Sequence, residues 1–540
     1  MRKPITTSIG ACAALLLALS GCSEPQKEVR AIPSADTEHS VPTFIGRTAI
    51  DQPVTGVSFE HPYMASPDQS TIHTDSYNSD VHRNAGVLGN NPSVITRKGP
   101  GHPLGGMCAT TTFDKDGYLI ALCATFVSFQ LHLMDPQTLE LLAVHYLPGR
   151  PSSFDMLVNA DPAKVMTDTS GGAYYYVDDQ DRIVLADSKQ QLTRIGHRQN
   201  DKGEWEFYED DQWDLSDVAP NDCLNWNNWF PSGECDPVTA VLPDAEGNIW
   251  WATRQGRFGI VNPKNGHKIA NRFWAENSEG NAPSKEEIQN SFAVDKHAVY
   301  IATDHALYAL RVAADGQSIE RLWKESYDRG IEVKVGAINQ GTGTTPTLLG
   351  DDYVTLSDNA DGLINLIVYR RGLAVAGERE ICKVPLFDER GSATDNSMIG
   401  WSRSIIIENN AGYSNALQMS DLSHTPGGVM RIDIREDESG CDVVWRSPER
   451  SLSVVPKLSA ANGIVYLYGP DILEDGSNAW YLKGLDYKTG ETVFKIHTGV
   501  GQYFDNNWAP ISIGPDGTTY VGGFGGLTAI RDQPKLTSKK

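Results

Sequence analysis

The sequence lacks the short motifs that mark the commonest hydrolases and nucleotide-binding enzymes. Its 540 residues contain no Gly-x-Ser-x-Gly elbow, no glycine-rich loop followed by Lys-Ser or Lys-Thr, and no His-Glu-x-x-His pair. Positive charge is also scarce, because 46 Lys and Arg stand against 69 Asp and Glu and leave a net charge of −23. These absences exclude the common motif-bearing enzymes, and the acidity argues against nucleic acid as a partner because its phosphates would be repelled.

The apolar run at the start of the chain is too short to span a bilayer as a mature helix. It covers residues 9–19 and follows Arg2 and Lys3, which is typical of an export signal. The Leu-Ser-Gly-Cys sequence that ends at Cys22 resembles the lipobox of bacterial lipoproteins, which implies cleavage before Cys22 and its lipidation. Ser23 then favours the outer membrane, by resemblance to enterobacterial sorting. An ordinary secretory signal with an unrelated cysteine is the alternative.

The remaining terminal segments are polar. Residues 1–21 are interpreted as the signal peptide, and residues 22–55 as a flexible tether because they are polar, contain several prolines and have no sustained apolar period. Residues 56–104 form a polar segment unlike the rest of the chain, and residues 534–540 are predicted to be a disordered tail.

Cysteine is uncommon, with eight in the whole sequence. An even set remains after the leader and Cys22 are set aside, and in an exported chain it predicts disulfides among Cys108, Cys123, Cys223, Cys235, Cys382 and Cys441. A hairpin turning at residues 115–116 would place the first two opposite each other, where they bond or simply pack. The second two bracket a tryptophan-rich loop. The last two fall on outer strands of consecutive units, which is compatible with pairing.

A strand, a turn bounded by Asp and Gly, and a second strand recur along the chain. The clearest copy is Gly-Leu-Asp-Tyr-Lys-Thr-Gly-Glu-Thr-Val-Phe at residues 484–494, and looser copies recur about every fifty residues. Such a repeat predicts the blades of a β-propeller, because a four-stranded blade buries its faces only by stacking on its neighbours. We therefore expect an all-β fold, an eight-bladed β-propeller over residues 105–533, with seven blades as the competing count.

Two irregularities interrupt the repeat. The last copy, residues 510–532, has about three strands, so its missing outer strand is expected to come from residues 56–104 and to close the ring. Blade two is predicted over residues 164–197, with residues 173–177 as its second strand. Residues 200–236 then form a predicted insertion, rich in tryptophan and pinned by a disulfide, which is either a cover or an aromatic platform for a ligand.

The repeat resembles the tryptophan-docking motif of quinoprotein-like propellers. Phe494 stands where that motif has Trp, and Trp323 and Trp445 lie near the matching position in other blades. The resemblance implies either dehydrogenases that use pyrroloquinoline quinone or cofactor-free lipoprotein scaffolds of outer-membrane assembly. The absence of adjacent cysteines and of a Cys-x-x-Cys-His haem motif argues against the dehydrogenases.

The first polar cluster that could carry chemistry is residues 73–83. In an extended chain, alternation would place His73, Asp75 and Tyr77 on one face, where they are predicted catalytic residues for acid–base chemistry. The alternative is a hydrogen-bonded segment that fastens the N-terminal part of the chain across the propeller.

The second cluster supplies oxygen ligands from neighbouring blades. We expect Ca²⁺ as its metal, because that ion takes six to eight oxygen ligands. The predicted ligands are Asp358, Asn359, Asp395, Asn396, Glu408 and Asn409. The alternative is that these residues only form turns.

The third cluster enters the last blade and is predicted to bind a ligand by stacking and by amide hydrogen bonds. Two arginines that could neutralise an anionic ligand belong to the same prediction. The full set is Arg254, Arg403, Tyr503, Asn506, Asn507 and Trp508.

The sequence thus predicts a propeller anchored by lipid in the cell envelope, with a channel mouth that binds a small molecule, a sugar or an envelope protein. The alternative is an enzyme in the channel, either a calcium-assisted hydrolase or lyase or an oxidoreductase that uses pyrroloquinoline quinone. One propeller architecture hosts many activities, so the fold does not choose between them.

Overall fold

Strands make up nearly all of the regular structure and form eight sheets arranged round a common axis. The computed structural model describes residues 40–68, 70–100, 106–159, 165, 168–225, 227–275, 284–416 and 421–534. The eight-bladed β-propeller is therefore confirmed, and the count of seven is wrong. The predicted signal peptide, Cys22, most of the predicted tether and nearly all of the predicted tail lie outside the described residues.

Three strands precede the first blade, and blades one to four follow in chain order. The leading strands are β1 (Phe44–Gly46), β2 (Val81–His82) and β3 (Pro92–Lys98). Blade one comprises β4 (Cys108–Phe113), β5 (Leu119–Ala124), β6 (Ser128–Met134) and β7 (Leu141–Gly149), and blade two β8 (Tyr176–Val177), β9 (Ile183–Ala186), β10 (Gln191–Gln199) and β11 (Trp205–Asp214). Blade three comprises β12 (Val238–Pro243), β13 (Ile249–Thr253), β14 (Arg257–Val261) and β15 (Lys268–Arg272), and blade four β16 (Ala293–Val294), β17 (Val299–Ala302), β18 (Ala306–Val312) and β19 (Ile319–Ser326).

Blades five to eight complete the ring. Blade five comprises β20 (Thr347–Leu349), β21 (Tyr353–Ser357), β22 (Asn365–Arg370) and β23 (Glu380–Pro385), and blade six β24 (Ile399–Trp401), β25 (Ser404–Glu408), β26 (Val429–Ile434) and β27 (Cys441–Ser447). Blade seven comprises β28 (Lys457–Ser459), β29 (Ile464–Ile472), β30 (Asn478–Asp486) and β31 (Thr492–Val500), and blade eight β32 (Ile511–Ile513), β33 (Thr519–Gly523) and β34 (Gly526–Asp532). An α-helix, α1 (Pro151–Asn159), follows blade one, and a short 3-10 helix covers Gln502–Phe504. Among the described residues, no helix has the length and apolar character needed to cross a membrane.

The aspartates that open the turns explain why the repeat is visible in the sequence. In the clearest copy, Asp486 Oδ1 accepts hydrogen bonds from the backbone N–H groups of Lys488 and Thr489, each at 2.9 Å. Asp135 holds the equivalent turn of blade one in the same way. A short carboxylate that satisfies two backbone donors stabilises a tight turn, so the same residue type recurs there.

The ring closes through β3, as the sequence predicts. This strand pairs antiparallel with β34 over seven residues, from Pro92 opposite Asp532 to Lys98 opposite Gly526, and supplies the missing outer strand of blade eight. The adjoining strand β1 pairs with β31 at the outer edge of blade seven. Residues 44–46 were predicted to belong to the flexible tether, and that part of the prediction is wrong. They are ordered because their backbone pairs with the open edge of blade seven.

Blade two differs from its predicted boundaries. Its innermost strand is β8, which lies where the second strand was expected, and β11 is its outer strand. The predicted insertion therefore begins only after Asp214. Glutamates and aspartates between Trp205 and Trp213 make β11 look like a loop, but an outer strand keeps one face in water and tolerates them. Trp205 on its other face packs edge-on against Tyr118 of blade one.

All three predicted disulfides are present. Cys108–Cys123 joins β4 to β5, and Cys382–Cys441 joins the outer strands of blades five and six. Cys223–Cys235 closes a loop of the insertion. The Cys382–Cys441 disulfide ties blades five and six together at the rim of the ring, where their described outer strands belong to separate sheets.

Gly484 tests how tightly the clearest repeat is packed. It lies opposite Phe494 in the β30–β31 pair, and a Cβ on Gly484 would stand 2.3 Å from Phe494 Cζ. We expect Gly484→Ala to lower the free energy of unfolding by about 1–3 kcal/mol, the usual cost of overpacking. The control is Gly372→Ala, whose Cβ would meet nothing closer than 3.8 Å. Equal urea midpoints for the two variants would contradict the packing argument.

Candidate functional site

An N-terminal stretch lines one end of the channel. We call residues 70–82 the axial segment, because they follow the inner wall of the ring. Its carbonyl groups accept hydrogen bonds from innermost strands of five blades, through the backbone N–H groups of Val177, Val294, Leu348, Gly400 and Leu458. Strand β2 also pairs in parallel with β28. This is the arrangement expected of a segment that fastens the N-terminal part of the chain across the propeller.

The axial segment is not extended, and the prediction that His73, Asp75 and Tyr77 share one face is wrong. Positive φ angles occur at Thr74, Asn78 and Asp80, so the chain turns repeatedly. Asp75 Oδ1 accepts the N–H groups of Tyr77 and Ser79 at 3.0 and 3.1 Å and thereby caps one of these turns. Burial raises the pKa of Asp75 to about 7.

The three predicted catalytic side chains therefore point to different places. Tyr77 stacks on Phe59 and lies under the guanidinium of Arg371. Asp75 bonds the hydroxyl of Ser79 at 2.6 Å. Only His73 reaches the channel cavity.

A buried ionic group holds His73 in position. His73 Nδ1 lies 3.2 Å from each carboxylate oxygen of Asp80, and the ammonium group of Lys457 donates to the same carboxylate. The side chains of Asp80 and Lys457 are 0% and 1% exposed. Lys457 also donates to the carbonyl oxygen of Ile72 at 2.7 Å, and burial lowers its pKa. Two opposite charges so deep in the protein stabilise each other, and removal of either leaves the other without its opposite charge.

A cavity of about 110 Å³ lies above the axial segment, which forms its floor through Ile72 and His73. It is built where the innermost strands begin. Side chains just before or at the start of these strands line it from seven blades, namely Met107, Tyr174, Asn290, Thr345, Asp395, Asn396, Ser397, Val455, Asn507 and Trp508. Phe126, Phe129 and Phe524 add apolar wall. Apolar walls with a few converging polar groups are typical of small-molecule sites.

The imidazole of His73 contacts two hydroxyl groups at this floor. Its Nε2 atom lies 3.2 Å from Ser397 Oγ and 3.3 Å from Thr345 Oγ1. The ring stacks on Tyr174, whose hydroxyl donates to Asn290 Oδ1 at 3.0 Å. Four residues of this floor were not among those predicted from the sequence, namely Ser397, Thr345, Asp80 and Lys457. The signal that could have found Asp80 is its place within residues 73–83, and Ser397 directly follows the selected Asp395 and Asn396.

The six predicted calcium ligands do not form one site. Asp358 is bonded by Asn365 and by Lys383, whose Nζ lies 2.8 Å from Asp358 Oδ2. The Asn359 amide donates to two carbonyl groups, as does that of Asn409. No two of Asp358, Asp395 and Glu408 share a group of three metal-ligating side chains among the described residues. These contacts show that several of the predicted oxygen ligands hold loops together, and calcium stays a prediction.

Glu408 and Asp395 are instead candidates for neutral carboxyl groups. Burial raises the pKa of each to about 8, and Glu408 is bonded by Ser451 and Asn396. Asp395 Oδ1 accepts the N–H of Ile338 at 3.2 Å. Its Oδ2 atom has no hydrogen-bond partner within the part of the chain that the structure describes, although Asp395 lines the cavity.

The third predicted cluster is divided. Asn507 and Trp508 line the cavity, whereas Asn506 lies behind it, where it accepts from Ser453 and donates to Ala509. Tyr503 is partly exposed and stacks on Phe524.

The two predicted arginines also separate. Arg403 is far from the channel, because it lies over the Tyr353 ring and donates to the carbonyl oxygen of Arg435. Arg254 lines a second cavity of about 480 Å³, which shares Asp168 and Thr169 with the first. The guanidinium of Arg254 makes no hydrogen bond or ion pair with the described residues, and burial lowers its pKa.

One further group has metal-ligand geometry. His197 Nε2 lies 2.9 Å from Asp114 Oδ2 and 3.8 Å from Asp181 Oδ2, between the turns of blades one and two. Burial raises the pKa of Asp181 to about 6, with the charge of Asp114 adding to the effect. The hydrogen bond between His197 and Asp114 accounts for this group without a metal.

Lys457→Met tests the buried ionic group. The variant leaves the Asp80 carboxylate buried beside a thioether, and we expect a loss of about 3–5 kcal/mol in the free energy of unfolding, measured by urea denaturation. The double variant Lys457→Met/Asp80→Asn should recover part of that loss. The control is Lys268→Met, which breaks an exposed pair with Asp217 and should cost about 1 kcal/mol or less. Similar losses in both single variants would contradict the assignment.

Asp395→Asn tests the raised carboxyl pKa. Between the ordinary value of 3.8 and about 8, the folded state holds a proton on Asp395 that the unfolded state releases, so stability falls as pH rises. The variant lacks this group, and its stability relative to the wild type should increase from pH 4 to pH 8. Asp116→Asn, in an exposed turn, should show no such trend in urea midpoints. A constant difference for Asp395→Asn across this range would refute the shift.

Comparisons with known proteins agree with the architecture and assign no activity. No family model matches the chain. A sequence relative, an uncharacterized protein of Archaeoglobus fulgidus, is 26% identical over 326 residues, which cover 55% of this chain and 61% of the relative. The chain thus matches less than two thirds of that relative's length.

Three similar solved structures are distant from this chain in sequence. A europium-containing methanol dehydrogenase is 10% identical with a TM-score of 0.47, and the match covers 86% of this chain and 98% of the dehydrogenase. Saccharomyces cerevisiae Sqt1 is 11% identical with a TM-score of 0.45, covering 83% and 100%. BamB from Moraxella catarrhalis is 13% identical with a TM-score of 0.35, covering 65% and 93%. The resemblance of the repeat to quinoprotein-like propellers stays a prediction from the sequence.

Proposed function

We propose that the propeller binds a small organic anion at the end of its channel where the innermost strands begin. The observation that supports this most directly is the cavity itself, which has apolar walls and whose floor is closed by the axial segment. A closed floor favours a small ligand over a protein that threads the channel. Binding of an envelope protein at the channel mouth remains a separate prediction.

Two polar groups favour an anionic ligand with an apolar body. The guanidinium of Arg254 has no hydrogen-bonded partner among the described residues and lines the adjoining cavity, and charge-assisted bonds to a carboxylate are stronger than neutral ones. Asp395, when protonated, offers a hydroxyl donor to a second oxygen of the ligand. Phe129 and Trp508 provide the apolar contact.

We also propose, from the lipobox ending at Cys22, that the protein acts at a membrane of the cell envelope, to which its lipid anchors it. Calcium and pyrroloquinoline quinone remain predictions for the channel. The residues proposed for calcium do not converge, so we assign neither group a step in any reaction.

Binding can be measured with 4-fluorobenzoate, which combines a carboxylate with an aromatic ring. We expect its ¹⁹F resonance to broaden with the wild-type protein and to sharpen again with Ala109→Trp, because Ala109 lines the cavity and indole would fill it. Arg254→Gln should weaken binding by roughly tenfold or more, the effect of losing one charge-assisted hydrogen bond. Val444→Trp, on the exposed outer strand β27, is the matched control and should bind as the wild type does.

No broadening with the wild type, or equal broadening with Ala109→Trp, would show that the cavity does not bind this class of ligand. In a second experiment, the protein is added to calcium and pyrroloquinoline quinone, and the quinone absorbance is recorded. An unchanged quinone absorbance spectrum on addition of the protein would remove the dehydrogenase interpretation.

A further inference from the structure

A hydroxyl, an imidazole and a carboxylate follow one another at the floor of the channel cavity. Ser397 Oγ lies 3.2 Å from His73 Nε2, and His73 Nδ1 lies 3.2 Å from both oxygens of Asp80. The ammonium group of Lys457 donates to the same Asp80 carboxylate. A carboxylate that accepts from Nδ1–H leaves Nε2 to accept from the hydroxyl groups.

We propose that Ser397 is a nucleophile, with His73 as its general base and Asp80 as the group that orients His73, for hydrolysis of small carboxylic esters. The residues come from distant parts of the chain, since Asp80 and His73 lie in the axial segment and Ser397 precedes β24 of blade six. This proposal rests on the proposed binding function, because the same cavity must hold the ester.

The reaction uses water as its second reactant and needs no oxidant or reductant. Ser397 Oγ bonds to the carbonyl carbon of the ester while its proton passes to His73 Nε2. The bond between carbon and the alcohol oxygen then breaks, and His73 returns the proton to that oxygen. Water attacks the acyl-serine with His73 again taking a proton, and the carboxylic acid leaves as Ser397 regains its hydrogen.

The cavity defines the class of substrate. Its volume of about 110 Å³ admits a small acyl group, and Met107, Phe126 and Phe524 present apolar surface to it. The Asp395 carboxyl group and the Thr345 hydroxyl line the same space and are donors for the carbonyl oxygen as it gains charge. The product acid would be an organic anion of the type proposed above to bind near Arg254.

The position of Ser397 explains why no hydrolase motif marks it. In a Gly-x-Ser-x-Gly elbow the serine stands on a sharp turn between a strand and a helix. Here it stands at the entrance to an innermost propeller strand, and its partner arrives from residues 73–80. Thr345 Oγ1 lies near the same nitrogen, so the reactivity of the two hydroxyl groups can be compared. If His73 had only a structural role, Ser397 would be no more reactive than Thr345.

The test is labelling of the purified full chain with a fluorophosphonate, which bonds to activated serine oxygen and releases fluoride. Peptide mass spectrometry should locate the label on Ser397, and 4-fluorobenzoate should protect it. Ser397→Ala should lose the label and lower p-nitrophenyl acetate turnover by roughly 100-fold or more. Ser439→Ala, in the exposed turn between β26 and β27, is the matched control and should keep both. Thr345→Val, which removes the second hydroxyl beside His73, should keep the label on Ser397.

Absence of label on Ser397 in the wild type overturns the proposal whether or not the variants fold. Turnover by folded Ser397→Ala at the wild-type rate does the same. If 4-fluorobenzoate still binds in either case, only the nucleophile is disproved. If that ligand also fails to bind, the proposed binding function fails with it.

Discussion

The contact between Asp80 and Lys457 is the interaction on which the channel depends. Both side chains are almost fully buried, so each charge is tolerated only because the other is beside it. Lys457 belongs to the innermost strand of blade seven, whereas Asp80 belongs to the axial segment. The pair therefore fixes an N-terminal stretch against the ring and positions His73, which shares the same carboxylate.

The N-terminal part of the chain completes the propeller in three places. Strand β3 supplies the outer strand of blade eight, β1 covers the outer edge of blade seven, and the axial segment bonds to innermost strands of five blades. Each of these contacts satisfies backbone groups that an open edge or an empty channel would leave to water. Closure of the ring and closure of its channel are thus carried out by one continuous stretch.

Most polar side chains around the channel end serve the fold. Asp358, Asn359 and Asn409 are saturated by loop backbone and by Lys383, so an oxygen-rich sequence in this region marks irregular chain. Asp395 and Arg254 differ, because atoms of each lack a partner among the described residues and both face cavities. Buried polar groups are normally bonded, so these two carry the functional argument.

The architecture was predictable because it depends on local chemistry repeated along the chain. Aspartates that cap turns recur along the chain, as do apolar strands of similar length. Each blade must also bury its faces against its neighbours, so the same apolar pattern is needed in every blade. The same logic predicted the three disulfides and the closing strand. It failed at β11, whose acidic exposed face resembles a loop, and at residues 44–46, whose order depends on a sheet edge several hundred residues away.

The sequence by itself determined the all-β class, the blade repeat and the set of cysteines that form disulfides, since these follow from local pattern, periodicity and an even cysteine count. Only the tertiary structure decided the site. It turned Asp75 and Tyr77 away, and it brought Ser397 and Lys457 to a histidine more than 300 residues earlier. Proximity of that kind is created by ring closure, which places the start of every innermost strand round one axis, and no local pattern encodes it.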